Sequence, residues 1–276
     1  MYNAASKLIA LSTAVIMASC GGGKSVNEAE VLADSADSAV TAGNYALATE
    51  LLDTLKAKYP SEIKVQRAAM NIRARANEGM IKAELQTTDS LEAVYNYRRD
   101  SLKEYFTFVN NPELVEGFYV IKEYKSSSLF SRSGVEARVA PDGQFYMISS
   151  LAGNPVKHTS ITVSVNGESA SSASVAYDGD RNYRSGGTEM ITFISSECDS
   201  IGKLLAKNPG KPARITFSGA RSTSMPLPKN DARSIALAYD YSEAISMAKR
   251  LASKKELLDR QLILARDQAA RTAISE

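Results

Sequence analysis

The feature that most constrains the fold is the division of the chain into three segments of contrasting composition. Residues 27–109 are rich in Ala, Leu, Glu and Lys, with a single proline, Pro60, which predicts helices. Residues 117–227 are rich in Ser, Thr, Val, Tyr and Gly, which predicts strands and turns. Residues 229–276 contain neither Gly nor Pro, and this favours a further helix. The predicted fold class is therefore α+β.

The middle segment contains runs in which apolar and polar residues alternate, as in Val135 to Val139 and Ile161 to Val165. This period of two predicts strands with one buried face and one solvent-exposed face. Asp142-Gly143 and Asn166-Gly167 separate such runs, and these dipeptides favour tight hairpin turns. We expect an antiparallel β-sandwich or an open barrel. The predicted strands are 117–124, 133–140, 144–151, 158–165, 168–177, 188–195 and 212–219, with a short helix at 197–207.

The two helical segments carry apolar stripes that need covering. In residues 229–276 the stripe follows near-heptad spacing and includes Leu251, Leu258 and Leu262. We expect this C-terminal amphipathic helix to pack antiparallel on a long helix within residues 61–109. The alternative is a coiled coil with another copy or a partner protein. The matching stripe in residues 61–109 consists of Leu91, Val94, Tyr95, Leu102, Tyr105 and Phe106, which we interpret as packing residues.

A series of small and apolar residues runs through the first helical pair: Gly43, Tyr45, Ala48, Leu52, Leu55 and Pro60. These spacings resemble the second half of a tetratricopeptide repeat. The resemblance implies that Gly43 lies at the turn between two helices, that Ala48 packs between them, and that Pro60 ends the second helix. Only one copy is present, and repeat arrays need about three. We therefore expect one helical hairpin that buries its face against another part of the protein.

The first twenty residues have the pattern of an export signal. Lys7 precedes an uncharged run from Leu8 to Ala18, which is shorter than the roughly 20 residues that a spanning helix needs. The ending Met17-Ala18-Ser19-Cys20 resembles the lipobox of bacterial lipoproteins, and three glycines follow it. The resemblance implies a covalent lipid on Cys20 that anchors the protein in the membrane. The alternative is an ordinary secretory signal with an incidental cysteine.

These patterns divide the chain into five predicted regions. They are a lipoprotein signal peptide (1–19), the lipidated Cys20 with a Gly-rich tether (20–26), a helical stalk with the repeat-like hairpin (27–110), a β-rich domain (117–227) and the C-terminal amphipathic helix (229–276). The organisation resembles that of lipoproteins that pair a helical stalk with a β-rich head. Because residue 21 is Gly rather than Asp, the resemblance implies the outer membrane of the cell envelope, on either face.

Few residues offer catalytic chemistry. The net charge is +2 and both signs are interspersed, so no basic patch points to nucleic acid. His158 is the only histidine, no Gly-x-Ser-x-Gly motif is present, and Cys198 is the only cysteine besides Cys20. We therefore expect a protein that is not an enzyme, that needs no cofactor beyond the lipid on Cys20, and that buries Cys198 in its core.

One loop has the oxygen-ligand spacing of an EF-hand. Asp178, Asp180, Asn182 and Glu189 stand at positions 1, 3, 5 and 12 of such a loop. However, Tyr183 occupies the position that needs glycine, and Arg181 and Arg184 add positive charge. The four residues are therefore a weak calcium candidate. We expect no metal site here, and instead a Gly-rich hairpin whose Asp and Asn side chains stabilise turns.

The functional hypothesis is a lipid-anchored cell-envelope protein with a non-catalytic structural or protein-interaction role. In it, a helical stalk presents a β-rich head to an envelope protein partner. The alternative is a β-sandwich module that binds glycan or peptidoglycan. Since the chain has no Trp, a sugar would have to stack on tyrosines of the head, for which Tyr146, Tyr177 and Tyr183 are the candidates.

Overall fold

The computed structural model describes residues 22–110, 117–124 and 129–274, and it confirms the α+β prediction. Helices α1 (Gly22–Thr41), α2 (Tyr45–Lys58) and α3 (Ile63–Lys103) come first, and α5 (Lys229–Ile274) comes last. The strands and the short helix α4 (Asp199–Lys207) lie between them. The chain divides into a helical unit (22–84 and 259–274 of the described residues) and a β-rich unit (85–258). Helices α3 and α5 each contribute to both units.

The repeat-like hairpin of the helical unit is formed by α1 and α2. Gly43 adopts a positive φ of 75° in the turn, and Asn44 caps α2 by accepting a hydrogen bond from the Leu47 N–H at 3.2 Å. Ala48 is fully buried and packs with Ala39 and Val40 of α1 and with Ala76 of α3. The hairpin thus buries its face against α3, as predicted for a single repeat.

Helix α3 continues through Gly79, although a glycine weakens a helix by about 1 kcal/mol relative to alanine. A Cβ atom at this position would lie 2.2 Å from the ring of Tyr45. The glycine therefore makes room for an aromatic side chain of α2, and the packing of that ring offsets the lost helix propensity.

The β-rich unit contains two antiparallel sheets. The six-stranded sheet has the order β1-β2-β3-β4-β8-β7, and the four-stranded sheet has the order β10-β9-β5-β6. The described strands are β1 (Phe106–Val109), β2 (Phe118–Ile121), β3 (Gly134–Val139), β4 (Phe145–Ala152), β5 (His158–Val165), β6 (Glu168–Ser171), β7 (Asn182–Ser185), β8 (Thr188–Ile194), β9 (Ala213–Gly219) and β10 (Ser222–Pro226).

The strands form two separate sheets that share one apolar core, which is the arrangement of a sandwich rather than of an open barrel. Apolar positions of the central strands point into this core, and α4 and the first turns of α5 complete it. Cys198 is fully buried there, as expected. Fully buried core residues include Ala137, Val139 and Met147 from the larger sheet, Ile161, Val163, Ile215 and Phe217 from the smaller one, and Ile201, Ile235 and Ala238 from the helices.

The predicted antiparallel packing of the C-terminal helix on α3 is confirmed. Within the β-rich unit, Arg98 pairs with Asp240 at 2.8 Å and Asp89 pairs with Lys255 at 2.6 Å. Within the helical unit, Glu78 pairs with Arg266 at 3.3 Å. Positions on α5 rise as their partners on α3 fall, so the helices run in opposite directions. Leu251, Leu258 and Leu262 are each less than 10 % exposed.

The structure corrects three details of the sequence analysis. Residues 106–109 form strand β1 rather than the end of the long helix, and Phe106 is buried beside Tyr241. Leu91, Val94 and Tyr105 are 44 %, 60 % and 46 % exposed, so they do not belong to the packing stripe. The predicted strand 168–177 ends at Ser171, whereas β7 and β10 were not predicted. In addition, α1 begins at Gly22, inside the region assigned to the tether.

Candidate functional site

Three polar side chains form a hydrogen-bonded chain inside the β-rich unit. Ser149 Oγ lies 2.8 Å from His158 Nε2, and His158 Nδ1 lies 2.7 Å from a carboxylate oxygen of Glu189. Strands β4 and β8 of the larger sheet supply Ser149 and Glu189, and β5 of the smaller sheet supplies His158. A hydroxyl, an imidazole and a carboxylate in this order are the groups that serine hydrolases use.

The Glu189 carboxylate is held by the turn that precedes β5. It accepts hydrogen bonds from the backbone N–H groups of Val156, Lys157 and His158, at 2.9 to 3.1 Å. Burial by itself would raise the pKa of Glu189, but the hydrogen bonds from the His158 ring and from the backbone N–H groups of His158 and Val156 outweigh it and lower the pKa. Burial also lowers the pKa of His158, although the nearby carboxylate opposes this.

The directions of these pKa shifts define the protonation state of the Ser149–His158–Glu189 triad near pH 7. Glu189 is ionised and the His158 ring is neutral, so Nδ1–H donates to Glu189 while Nε2 accepts from the Ser149 hydroxyl. Every polar group of the triad then has a partner, which is the condition for placing it in a core.

The burial of this triad argues for a structural role. Ser149 and His158 are 0 % exposed and Glu189 is 1 % exposed. The His158 ring also packs edge-on against Phe217, with ring centroids 5.2 Å apart. A hydroxyl without exposed surface does not meet a substrate in this conformation. The arrangement therefore links the two sheets and fixes the turn before β5.

Sequence reasoning singled out His158 but missed its two partners. Ser149 and Glu189 occupy core-facing positions of β4 and β8. They lie on the same faces of these strands as the apolar Met147 and Ile191, respectively. Polar residues at apolar positions of an alternating strand were the available signal. That signal does not reveal which two strands bring the residues together.

The outer face of the six-stranded sheet carries a shallow cleft of about 540 Å³ beside the edge strand β7. Its apolar floor includes Ile148 of β4 and Met190 and Ile194 of β8. These side chains alternate with residues that face the core, so they point away from it. The rim is formed by residues 179–183, which comprise the end of the loop before β7 and the first two residues of that strand.

Short-range hydrogen bonds hold this rim loop. Asp178 Oδ1 accepts from the Asp180 N–H at 3.1 Å, and Asn182 Oδ1 accepts from the Gly179 N–H at 2.9 Å. Arg181 Nη1 donates to a carboxylate oxygen of Glu197 at 2.6 Å. The hydrogen bond from Arg181 is the main reason that the pKa of Glu197 is lowered. The rim is thus shaped before any ligand arrives.

The four calcium candidates are not brought together. Asp178, Asp180 and Asn182 lie in the rim loop, where the side chains of Asp178 and Asn182 bond to nearby backbone. Glu189 is buried in the network with His158 instead. Within residues 22–110, 117–124 and 129–274, no group of three or more His, Cys, Asp or Glu side chains is placed to hold a metal ion.

The three candidate tyrosines occupy different positions. Tyr183 lines the cleft and is 57 % exposed. Tyr146 is half-buried, on the same face of β4 as Ile148 and opposite Ile194 of β8. Tyr177 is 38 % exposed in the loop before β7 and does not line the cleft. The candidate lipidation site, Cys20, lies outside the described residues.

Comparison with known proteins returns no family model, no curated protein and no solved structure that matches this chain. Among the helices that the structure describes, none combines the length and the apolar character needed to cross a membrane.

Proposed function

We propose that this chain is a lipid-anchored protein of the cell envelope that binds a partner protein and has no catalytic role. The observation that carries the interaction is the open edge of β7 beside an apolar cleft. The lipid on Cys20 remains the proposed anchor because of the Met17–Cys20 motif, and the outer membrane is proposed because Gly rather than Asp follows Cys20. The sealed Ser149–His158–Glu189 triad supports a non-catalytic role.

The register of β7 defines which of its groups are available to a partner. The Thr192 N–H bonds to the Arg181 carbonyl, so residues 181 and 192 form a hydrogen-bonded pair. Since hydrogen-bonded and non-bonded pairs alternate in an antiparallel ladder, the Asn182–Ile191 and Arg184–Glu189 pairs are non-bonded. The backbone N–H and C=O groups of Asn182 and Arg184 therefore point away from β8, toward the open edge.

An extended segment of a partner protein fits this surface. Its backbone would continue the ladder at Asn182 and Arg184, and its alternate apolar side chains would enter the cleft over Ile148 and Ile194. The cleft has an apolar floor and a polar rim, which is the usual anatomy of a protein interface. The aliphatic floor favours apolar side chains over a sugar as the occupant.

Replacing Arg184 tests the edge directly. Arg184→Pro removes one N–H without removing a β7–β8 hydrogen bond, because the Arg184 N–H points away from β8. Proline is tolerated at such an edge position. Arg184→Ala is the matched control, since it removes the charge but keeps the N–H. A photoreactive side chain at Tyr183, irradiated in intact cells, reports partner contact, and the same group at the exposed Tyr97 of α3 reports background.

We expect a specific cross-linked protein from position 183 and not from position 97. The Arg184→Pro variant should abolish this product and Arg184→Ala should retain it, with both variants folded by circular dichroism. Equal cross-linking from both positions, or a product that survives Arg184→Pro, contradicts edge-strand binding.

Glycan binding is a second candidate, favoured by the exposed ring of Tyr183 beside Asp180 and Asn182. A sugar would stack on the ring and bond to the polar rim, without using the strand edge. Soluble peptidoglycan fragments should then bind to the protein, and Tyr183→Ala should abolish their binding while Arg184→Pro leaves it unchanged. Isothermal titration calorimetry separates this outcome from protein binding.

A further inference from the structure

A second cleft of the β-rich unit, of about 420 Å³, lies between the α4–β9 loop and the first turns of α5. Its floor includes Leu205 and Leu227, which are 2 % and 5 % exposed, and the half-buried Leu237. The volume is within the range of about 300–1,000 Å³ that is usual for small-molecule sites. None of the residues discussed for the outer-face cleft contributes to it.

The walls of this second cleft are fixed by the fold. Pro209 and Pro212 restrict the backbone of the loop. On the other side, Asp231 ties the start of α5 to β3 by accepting a hydrogen bond from the Val135 N–H at 2.8 Å. The helix presents the small side chains of Ala232 and Ala236 to the cleft, so the space between the walls stays open. A cavity shaped in advance binds a ligand at a lower ordering cost.

The charges at its mouth favour an anion. Arg233 is engaged by Glu123 at 2.5 Å, and Asp240 is engaged by Arg98 at 2.8 Å. Lys211 and Lys229 also line the cleft, and neither has an ion-pair partner within the part of the chain that the structure describes. The cleft therefore combines an apolar floor with two unpaired positive charges.

We infer that this cleft binds a small organic anion with an apolar body. The body covers the leucine floor, and a carboxylate, sulfonate or phosphate group lies at the mouth near Lys211 and Lys229. This cleft is separate from the proposed protein-binding edge, so binding at one surface does not depend on binding at the other.

Displacement of the anionic dye anilinonaphthalene sulfonate from the full chain tests this inference. The competitors are decanoate, decan-1-ol and decylamine, which share one chain length and differ in charge. Ala236→Phe fills the floor, and Lys211→Glu combined with Lys229→Glu reverses the charge at the mouth. The matched controls are Ala252→Phe and the pair Lys249→Glu with Arg250→Glu, at exposed positions of the same helix.

We expect decanoate to displace the dye at a concentration about tenfold lower than decylamine does. Ala236→Phe should weaken the binding of all competitors. The double lysine variant should weaken the binding of decanoate by about tenfold and leave the binding of decan-1-ol unchanged. The controls should behave like the wild type. Failure of decanoate to bind, or binding that neither variant changes, overturns the inference. Because Lys211 and Lys229 are exposed, the double variant remains informative if Ala236→Phe fails to fold.

Discussion

His158 is the only histidine of the chain, and the fold places it where acidification opposes folding. Its pKa in the folded protein lies below the ordinary value because burial disfavours the charged ring. As the pH falls below about 6.5, the unfolded chain takes up a proton that the folded chain excludes, so stability decreases. The lowered pKa of Glu189 adds a further loss, but only in the more acidic range where carboxylates titrate.

We therefore predict that the free energy of unfolding decreases between pH 7.5 and pH 5.5, and that His158 is the main cause. Urea unfolding at pH 7.5, 6.5 and 5.5 measures this. His158→Gln should cost about 1–3 kcal/mol at pH 7.5, because it disrupts the bonds to Ser149 and Glu189. The pH dependence of this variant should be much flatter than that of the wild type. An unchanged dependence would show that another group is responsible.

Ala48 is the residue on which the repeat-like hairpin depends. It is fully buried where α2 meets α1 and α3. Ala48→Trp should overpack this crossing and cost about 1–3 kcal/mol of stability. Ala57→Trp is the control, since Ala57 is exposed on the same helix. Thermal unfolding should show a lower midpoint for the first variant only, and equal midpoints for the two would contradict the crossing.

At the scale of elements, the start of α5 is anchored by one buried carboxylate. Asp231 is 1 % exposed and accepts hydrogen bonds from the Tyr124 hydroxyl, from Arg132 Nη1 at 2.8 Å and from the Val135 N–H at 2.8 Å. These bonds connect the helix to the 3-10 turn at 122–124 and to β3. Burial is also the main reason that the pKa of Tyr124 is raised, with the bond to Asp231 second.

Removing this carboxylate should be far more damaging than removing an exposed one. Asp231→Ala removes the acceptor of two buried donors, the Tyr124 hydroxyl and the Val135 N–H, and of the partly exposed Arg132, and we predict a loss of about 3–5 kcal/mol. Asp240 lies on α5 like Asp231, and Asp240→Ala breaks only a partly exposed pair with Arg98 of α3, which should cost at most about 1 kcal/mol. Chemical denaturation of the two variants compares them, and similar costs would show that Asp231 is not the anchor.

Predictability differed among elements for physical reasons. The prediction of the two hairpin turns was correct, because Asn166, Gly167 and Gly143 adopt the positive φ values that these turns require. Strands β1, β7 and β10 were missed because they have four or five residues and lie at sheet edges. An edge strand needs only one neighbour and shows little alternation. Its formation therefore depends on pairing with the neighbouring strand, which its own four or five residues do not reveal.

At the scale of the whole molecule, the proposed anchor can be tested without knowing the partner. Cys20→Ser removes the only thiol of the lipobox-like motif. We predict that this variant is released from the membrane fraction or stays unprocessed, and that it no longer incorporates a labelled fatty acid. Cys198→Ser is the matched control, because Cys198 is buried in the core. Lipid labelling that persists in Cys20→Ser would refute the lipoprotein assignment.

The sequence by itself determined the order of helical and β segments, the repeat-like hairpin, the strand faces and the antiparallel return of α5. These follow from periodicity, turn chemistry and exposed apolar surface, which are local properties of the chain. Only the tertiary structure decided the sites. It placed Ser149, His158 and Glu189 in one network, separated Glu189 from Asp178 and Asp180, and opened two clefts. These outcomes depend on which strands become neighbours, and strand order is decided by packing of the whole core.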